Sequence, residues 1–228
     1  MAIWHPSPNF GPRLGGIDPH LIVLHYTGMA TAQAALERLC DPEHRVSSHY
    51  LIDGDGKTYQ LVKEDMRAWH AGAGAWGGCH DVNSASVGIE LDNPGPLARY
   101  PDFSQVQMTA LVGLIHEIQS RWNIGPSGVI GHSDMAPGRK FDPGPSFDWQ
   151  MLASHDCASP FVADGLASQN FWQDLAQIGY AMPADMGETQ ARELLLSTFR
   201  LRIGSDGVGS PTMAERSAAA SLVGSLDV

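Results

Sequence analysis

Leu21-Ile22-Val23-Leu24-His25-Tyr26 is the stretch that sets the architecture. Four consecutive branched apolar residues, bounded by Pro19 and Gly28, are too short a run for a buried helix. They read as a strand covered on both faces, as in sheets flanked by helices. Ser86-Val87-Gly88-Ile89-Glu90-Leu91 reads as a second such strand, stopped by Asn93-Pro94-Gly95-Pro96. Gly128-Val129-Ile130 reads as a short third. On the N-terminal side, Pro6, Pro8, Pro12 and Pro19 with Gly11, Gly15 and Gly16 predict an irregular arm over residues 1–20. On the C-terminal side, Thr31 caps a predicted helix through about Cys40, whose apolar side is Ala34, Ala35, Leu36 and Leu39. Runs 48–52 and 58–62 flank Asp53-Gly54-Asp55-Gly56-Lys57 and predict a hairpin. Residues 68–85 read as a glycine-rich loop.

The clearest helix is predicted from Ser104 to about Trp122. Ser104 and Gln107 form a capping-box pattern, and Leu111, Leu114, Ile115, Ile118 and Trp122 mark its buried face. Phe147 to Leu152 begins a closing helix. Strands alternate with helices but a hairpin intervenes, so the expected fold is α/β, a mixed central β-sheet flanked by helices. Past Cys157 the pattern changes. Ser168 leads into Phe171, Leu175 and Ile178; Thr189 leads into Leu194, Leu195 and Phe199; Thr212 and Glu215 make a second capping box before Ala219, Leu222 and Val223. This predicts a small three-helix bundle, dividing the chain into domains 1–157 and 158–228. So small a bundle is near the limit of independent stability and should dock on the first domain.

Composition narrows the class. Over 228 residues, 43% are hydrophobic and six are Trp, which supports a folded core. A net charge of −11 argues against a nucleic-acid partner, whose phosphates would be repelled. No apolar run approaches a bilayer span. Cys40, Cys79 and Cys157 are too few and too scattered for a disulfide framework or a thiolate metal cage. The opening residues lack a basic region followed by an apolar one, which favours the cytoplasm; a periplasmic enzyme is the alternative if a leader has been removed.

The chemistry-bearing residues gather at strand ends. Gly131 to Pro145 contains an imidazole, a lysine and two carboxylates among three prolines and three glycines. It reads as a rigid surface loop, the kind of segment that carries function. His132 and Asp142 could hold a metal ion from its two ends. His25 closes a buried strand, where a polar ring is either a core histidine bonded to backbone or a third ligand. A His-His-Asp set suits zinc, which in catalytic sites takes three protein ligands and leaves a fourth position to water; magnesium and calcium prefer more oxygens. Glu90 has small or apolar neighbours. It is either an exposed edge residue or a desolvated carboxyl whose raised pKa suits proton transfer. Lys140 is either a plain surface charge or an oxyanion partner.

Six motifs in order then resemble one family. They are Leu24-His25-Tyr26-Thr27, Val46-Ser47-Ser48-His49-Tyr50-Leu51-Ile52, Ala68-Trp69-His70-Ala71-Gly72, Ser86-Val87-Gly88-Ile89-Glu90-Leu91, Gly131-His132-Ser133-Asp134 and Arg139-Lys140-Phe141-Asp142-Pro143-Gly144. Over about residues 1–155 the chain resembles the type 2 N-acetylmuramoyl-L-alanine amidases, zinc hydrolases related to peptidoglycan recognition proteins. The resemblance implies one Zn2+ held by His25, His132 and Asp142, a catalytic Glu90, and Lys140 assisting at the carbonyl. It also implies that Trp69, His70 and Asn93 lie in loops lining the substrate groove. Some relatives carry a tyrosine where Ser48 stands here, so no phenol serves at that position. The implied substrate is the amide between N-acetylmuramic acid and L-alanine, in peptidoglycan fragments or polymeric peptidoglycan. The C-terminal part resembles a three-helix peptidoglycan-binding module, through Phe199-Arg200-Leu201-Arg202 and Asp206-Gly207-Val208. The alternatives are a bundle that only packs on the first domain and, for the whole chain, a non-catalytic binder or a zinc peptidase. The HExxH helix of common zinc proteases is absent.

Overall fold

The computed structural model describes residues 2–96 and 100–226; Met1, 97–99 and the last two residues of the expected 158–228 region lie outside it. In chain order the strands are β1 (Ile3–Trp4), β2 (Phe10–Pro12), β3 (Leu21–Tyr26), β4 (Tyr50–Ile52), β5 (Thr58–Gln60), β6 (Met66–Ala68), β7 (Ser86–Leu91) and β8 (Val129–Gly131). The helices are α1 (Ala32–Cys40), α2 (Val82–Ala85), α3 (Gln105–Trp122), α4 (His132–Met135), α5 (Trp149–Ser154), α6 (Phe171–Ile178), α7 (Glu188–Ile203) and α8 (Met213–Gly224).

The central sheet runs in the order β1-β5-β4-β7-β3-β8. All its pairs are parallel except the β4–β5 hairpin. The fully apolar run of β3 is therefore explained: it lies between two parallel neighbours with both faces covered. One face, carrying Ile22, Leu24, Ile52, Ile89 and Leu91, packs in a core with Leu111, Ile115 and Ile118 of α3. On the other, Leu51 packs with Ala35, Leu36 and Leu39 of α1.

Two expectations change. The N-terminal arm is tied down rather than irregular. β1 pairs with β5 at the sheet edge, and β2 pairs with β6 in a separate two-stranded ribbon. Edge positions tolerate proline because its missing donor breaks no interior ladder. Arg13 fixes the arm further by donating to the carbonyls of Glu64, Ser84 and Ser86. The segment after β8 is not a surface loop at its start, because His132 to Ala136 are buried and four of them form the helical turn α4.

Capping follows the sequence closely. Thr31, Ser104, Asp148 and Thr212 each accept a backbone N–H of the first turn. Of these four, Thr212 with Glu215 closes a full capping box. The Gln107 amide instead reaches the carbonyls of Ile52 and Asp92, joining α3 to the sheet. Three helices follow α5, α6 starting after Asn170 and α7 after Gly187 rather than at Ser168 and Thr189. α6 and α8 pack on each other, α7 touches both α8 and α4, and Phe171, Leu195, Phe199 and Leu222 share one apolar core with the sheet.

Glu64 anchors the end of α3. Its carboxylate accepts from Tyr50 Oη at 2.6 Å, from Arg121 Nη2 at 2.7 Å and Nε at 3.0 Å, and from Trp122 Nε1. Burial alone would raise its pKa, but these donors outweigh it and hold the carboxyl below its ordinary value. A depressed carboxyl stabilises the fold above its unfolded-state pKa and loses that contribution as pH falls through the folded-state value. Glu64→Gln should therefore destabilise the protein by about 2–3 kcal/mol at pH 7. In urea titrations, the gap between the two proteins should narrow below about pH 4.

Candidate active site

The parallel register lines up three chemical side chains. His25 of β3 pairs with Glu90 of β7, and Leu24 pairs with Gly131 of β8. One step further along that register, His132 stands beside His25. Paired residues share a face, so His132, His25 and Glu90 form a row across the carboxyl ends of three neighbouring strands. Asp142 returns to this row from the far end of the loop, where the Ser133 N–H donates to its carbonyl at 2.8 Å.

His25 Nδ1, His132 Nδ1 and Asp142 Oδ2 form a triangle with edges of 2.9, 2.9 and 3.0 Å. All three residues are buried. Hydrogen bonds on the other side of each ring identify the tautomers. His132 Nε2–H donates to the Ala71 carbonyl at 2.8 Å. Ser86 Oγ–H donates to the Val82 carbonyl, which leaves Ser86 Oγ to accept from His70 Nε2–H at 3.2 Å. His70 Nδ1 is then the acceptor for His25 Nε2–H at 3.0 Å. Burial, reinforced by His132, pushes the His25 imidazole down to about 4, so it is neutral at pH 7.

With both rings donating from Nε2, their Nδ1 lone pairs in the neutral form face each other and the Asp142 carboxylate. That arrangement repels itself unless a cation occupies the centre. The triangle is slightly tighter than the edge of about 3.3 Å set by tetrahedral zinc with ligand distances of about 2.0–2.1 Å. Two imidazoles and one carboxylate, each braced from behind, fit a divalent ion of the zinc type.

Glu90 faces the same cleft, of about 370 Å3, which is also lined by Trp69, Arg139, Lys140 and Phe141. Its Oε2 is buried without a hydrogen-bond partner among the described residues. Burial, with Asp142 nearby, raises its pKa well above the usual carboxylate value, and Lys140 opposes this only in part.

The other expected site residues fall in different places. Trp69 stands on the cleft wall. His70 touches the cleft but packs behind His25 and over Gly88, held between His25 and Ser86. Asn93 is buried off the cleft; its side chain accepts from the Gly95 N–H and donates to the Pro101 carbonyl. Sequence reading passed over Ser86 and Arg139. Arg139 Nη2 donates to the Ala71 carbonyl at 2.7 Å and to that of Ala73, fastening the 69–80 loop beside the triangle. The available signal was Gly88, since a glycine between Ser86 and Glu90 in a strand marks close approach of another group.

A mainly parallel sheet with converging ligand atoms and a desolvated carboxyl at its carboxyl ends, opening into a cleft, defines an α/β enzyme. Comparison with known proteins agrees. Residues 15–145 match the family model for N-acetylmuramoyl-L-alanine amidase. The N-acetylmuramoyl-L-alanine amidase AmiD of Escherichia coli is 34% identical, over 78% of this chain and 72% of its own. Its complex with anhydro-N-acetylmuramic acid-L-Ala-D-gamma-Glu-L-Lys superposes with a TM-score of 0.80 at 29% identity, covering 94% of this chain and 92% of that one. AmpDh3 of Pseudomonas aeruginosa gives 0.81 at 27% identity, over 94% and 95%. The 1,6-anhydro-N-acetylmuramyl-L-alanine amidase AmpD of Citrobacter freundii is 34% identical over 63% of this chain and 84% of its own. The chain belongs to the N-acetylmuramoyl-L-alanine amidase family, enzymes that hydrolyse the bond between N-acetylmuramic acid and L-alanine.

A Cβ on Gly88 would lie 2.5 Å from the His70 ring. Gly88→Ala should displace His70, release His25 Nε2–H and weaken zinc binding by about 10–100-fold. Overpacking should also cost about 1–3 kcal/mol. Adding His70→Ala should recover stability but not metal affinity, as read by denaturation and chelator competition.

Proposed function

We propose that this enzyme is a one-zinc amidase in which His25, His132 and Asp142 hold the ion and Glu90 moves the protons. The observation that carries the reading is the triangle of His25, His132 and Asp142 donor atoms beside a carboxyl whose Oε2 is buried without a partner. Bound zinc supplies a Lewis acid that polarises the scissile carbonyl and lowers the pKa of water to about 7. Glu90, whose raised pKa suits proton exchange near neutrality, takes the proton from the attacking water. It then delivers that proton to the departing alanine nitrogen, a poor leaving group until protonated. The Lys140 ammonium, on the same cleft, stabilises charge developing on the carbonyl oxygen; losing one such contact typically costs about 100–1000-fold in rate. Trp69 offers an apolar wall for the substrate.

The substrate class is a muropeptide. Relatives crystallised with anhydromuropeptides support that substrate class. The free thiols of Cys40, Cys79 and Cys157 fit a reducing compartment, in keeping with recycling in the cytoplasm. Among the described residues no helix is long and apolar enough to cross a membrane. The helices of 158–228 then serve chiefly as support for the catalytic region, with which they share a core.

Glu90→Gln should retain about one zinc per chain while hydrolysis falls by at least about 100-fold. His132→Ala should lose both metal and activity. With an anhydro-muropeptide, mass analysis should show free intact stem peptide plus peptide-free sugar; a shortened peptide would mark a peptidase instead. Normal turnover by Glu90→Gln would remove Glu90 from its role.

A further inference from the structure

Asp134 stands two residues beyond His132 and takes no part in the chemistry above, yet it is only 1% exposed. Its Oδ2 accepts the Gly131 N–H at 2.7 Å, closing the turn that begins at His132. Its other partners come from the C-terminal helical region. Tyr180 Oη donates to Oδ1 at 2.6 Å, and Arg202 Nη1 lies 3.3 Å from Oδ2. Arg202 also reaches the Val129 carbonyl in β8, with Nη1 and Nη2 each at 3.4 Å. Its guanidinium stacks 3.3 Å from the centroid of the Trp149 ring and is 7% exposed. A second tie runs alongside. Trp76 and Tyr180 form a β-bridge, and the Gly77 N–H donates to the Gly179 carbonyl at 2.9 Å. Trp76 belongs to the loop whose Ala71 carbonyl accepts from His132 Nε2–H.

We infer that Asp134, Tyr180 and Arg202 form a positioning clamp that holds His132 in its metal-binding orientation, so that the C-terminal helices contribute to metal affinity. The inference rests on the reading of His132 as a ligand. The backbone on one side of His132 is held through Gly131 and Asp134, and its ring is held by Ala71. Both supports lead back to the 179–202 region. A buried carboxylate that loses its cationic partner is left strongly unfavourable, so the turn would shift to reach other donors. Ligand groups must stay within about 0.5 Å of productive geometry, which makes even a small shift of the turn costly to binding.

The test is the zinc dissociation constant of the full chain, measured by chelator competition alongside the thermal midpoint. Tyr180→Phe removes one hydroxyl and keeps the ring packed near Trp76 and Phe199. Arg202→Met removes the charge at similar length, and Arg202→Lys restores it in part. Leu222→Ala serves as the control, because Leu222 is buried in the shared core and makes no hydrogen bond to the clamp. Tyr180→Phe and Arg202→Met should each weaken zinc binding by about 10-fold or more, with partial recovery in Arg202→Lys. Leu222→Ala should lower the midpoint and bind zinc as the native chain does. Native affinity in both Tyr180→Phe and Arg202→Met, or equal loss in Leu222→Ala, overturns the clamp. If Arg202→Met does not fold, Tyr180→Phe decides alone. Failure of the native chain to bind zinc overturns the ligand reading itself and is seen before any variant is made.

Discussion

Three lone pairs pointed at one another cannot persist in a buried site without a positive charge between them, and the fold is arranged to keep them so. Each donor is fixed from outside the triangle. His132 is held by a backbone carbonyl, His25 by His70, itself held by Ser86, and Asp142 by the return of its loop to Ser133. Such outer partners set which ring nitrogen is bare, and so decide whether an imidazole is a ligand or a donor. Removing them would let protons enter the triangle and turn it into an ordinary hydrogen-bonded cluster.

The parallel sheet makes this economical in sequence. Adjacent parallel strands bring residues into register without a turn between them, so one side chain from each strand end suffices. His132, His25 and Glu90 are separated by dozens of residues in the chain but are neighbours across β8, β3 and β7. The alternation of faces then places Ser86, Gly88 and Glu90 on the side of His25. With no side chain at Gly88, the His70 ring fits between Ser86 and the ligand row. Three consecutive positions on one face thus support the His70 ring, leave room for it, and present the Glu90 carboxyl to the cleft.

What the sequence made legible divides along the same line. Apolar runs, caps and strand-end polar residues are local signals, and β3, β7, α3 and the Thr212–Glu215 box could all be picked out from them; His25, His132 and Asp142 were candidates that the fold brings together. The arm was misread because proline and glycine argue against interior strands but not against edge pairing. Burial of α4 was also missed. Nothing near Asp134 in the chain announces Tyr180 or Arg202, whose contacts span 46 and 68 residues. His70 and Asn93 show the same limit. A loop can be assigned to a cleft from its residues, but whether a side chain faces substrate or braces a ligand depends on tertiary packing.

The carboxylates themselves separate structure from chemistry. Glu64, Asp134 and Glu215 are each buried and each answered by an arginine, from Arg121, Arg202 and Arg200 respectively. For Glu215, burial would raise the pKa, but Arg200, the Thr212 N–H and Ser205 bring it down to about 2, and Glu64 is likewise depressed. Glu64 and Glu215 keep their charge, and all three carboxylates hold elements together. Glu90 has no arginine, its Oε2 has no partner, and its pKa moves the opposite way. Asp81 Oδ2 and Asp174 Oδ2 are likewise buried without a partner, but of these three carboxylates only Glu90 lines the cleft beside His25, His132 and Asp142. A carboxyl with a raised pKa beside the one group of His and Asp side chains in the described chain that could hold an ion is the kind of perturbed group found at functional sites, which is what supports the role proposed for Glu90.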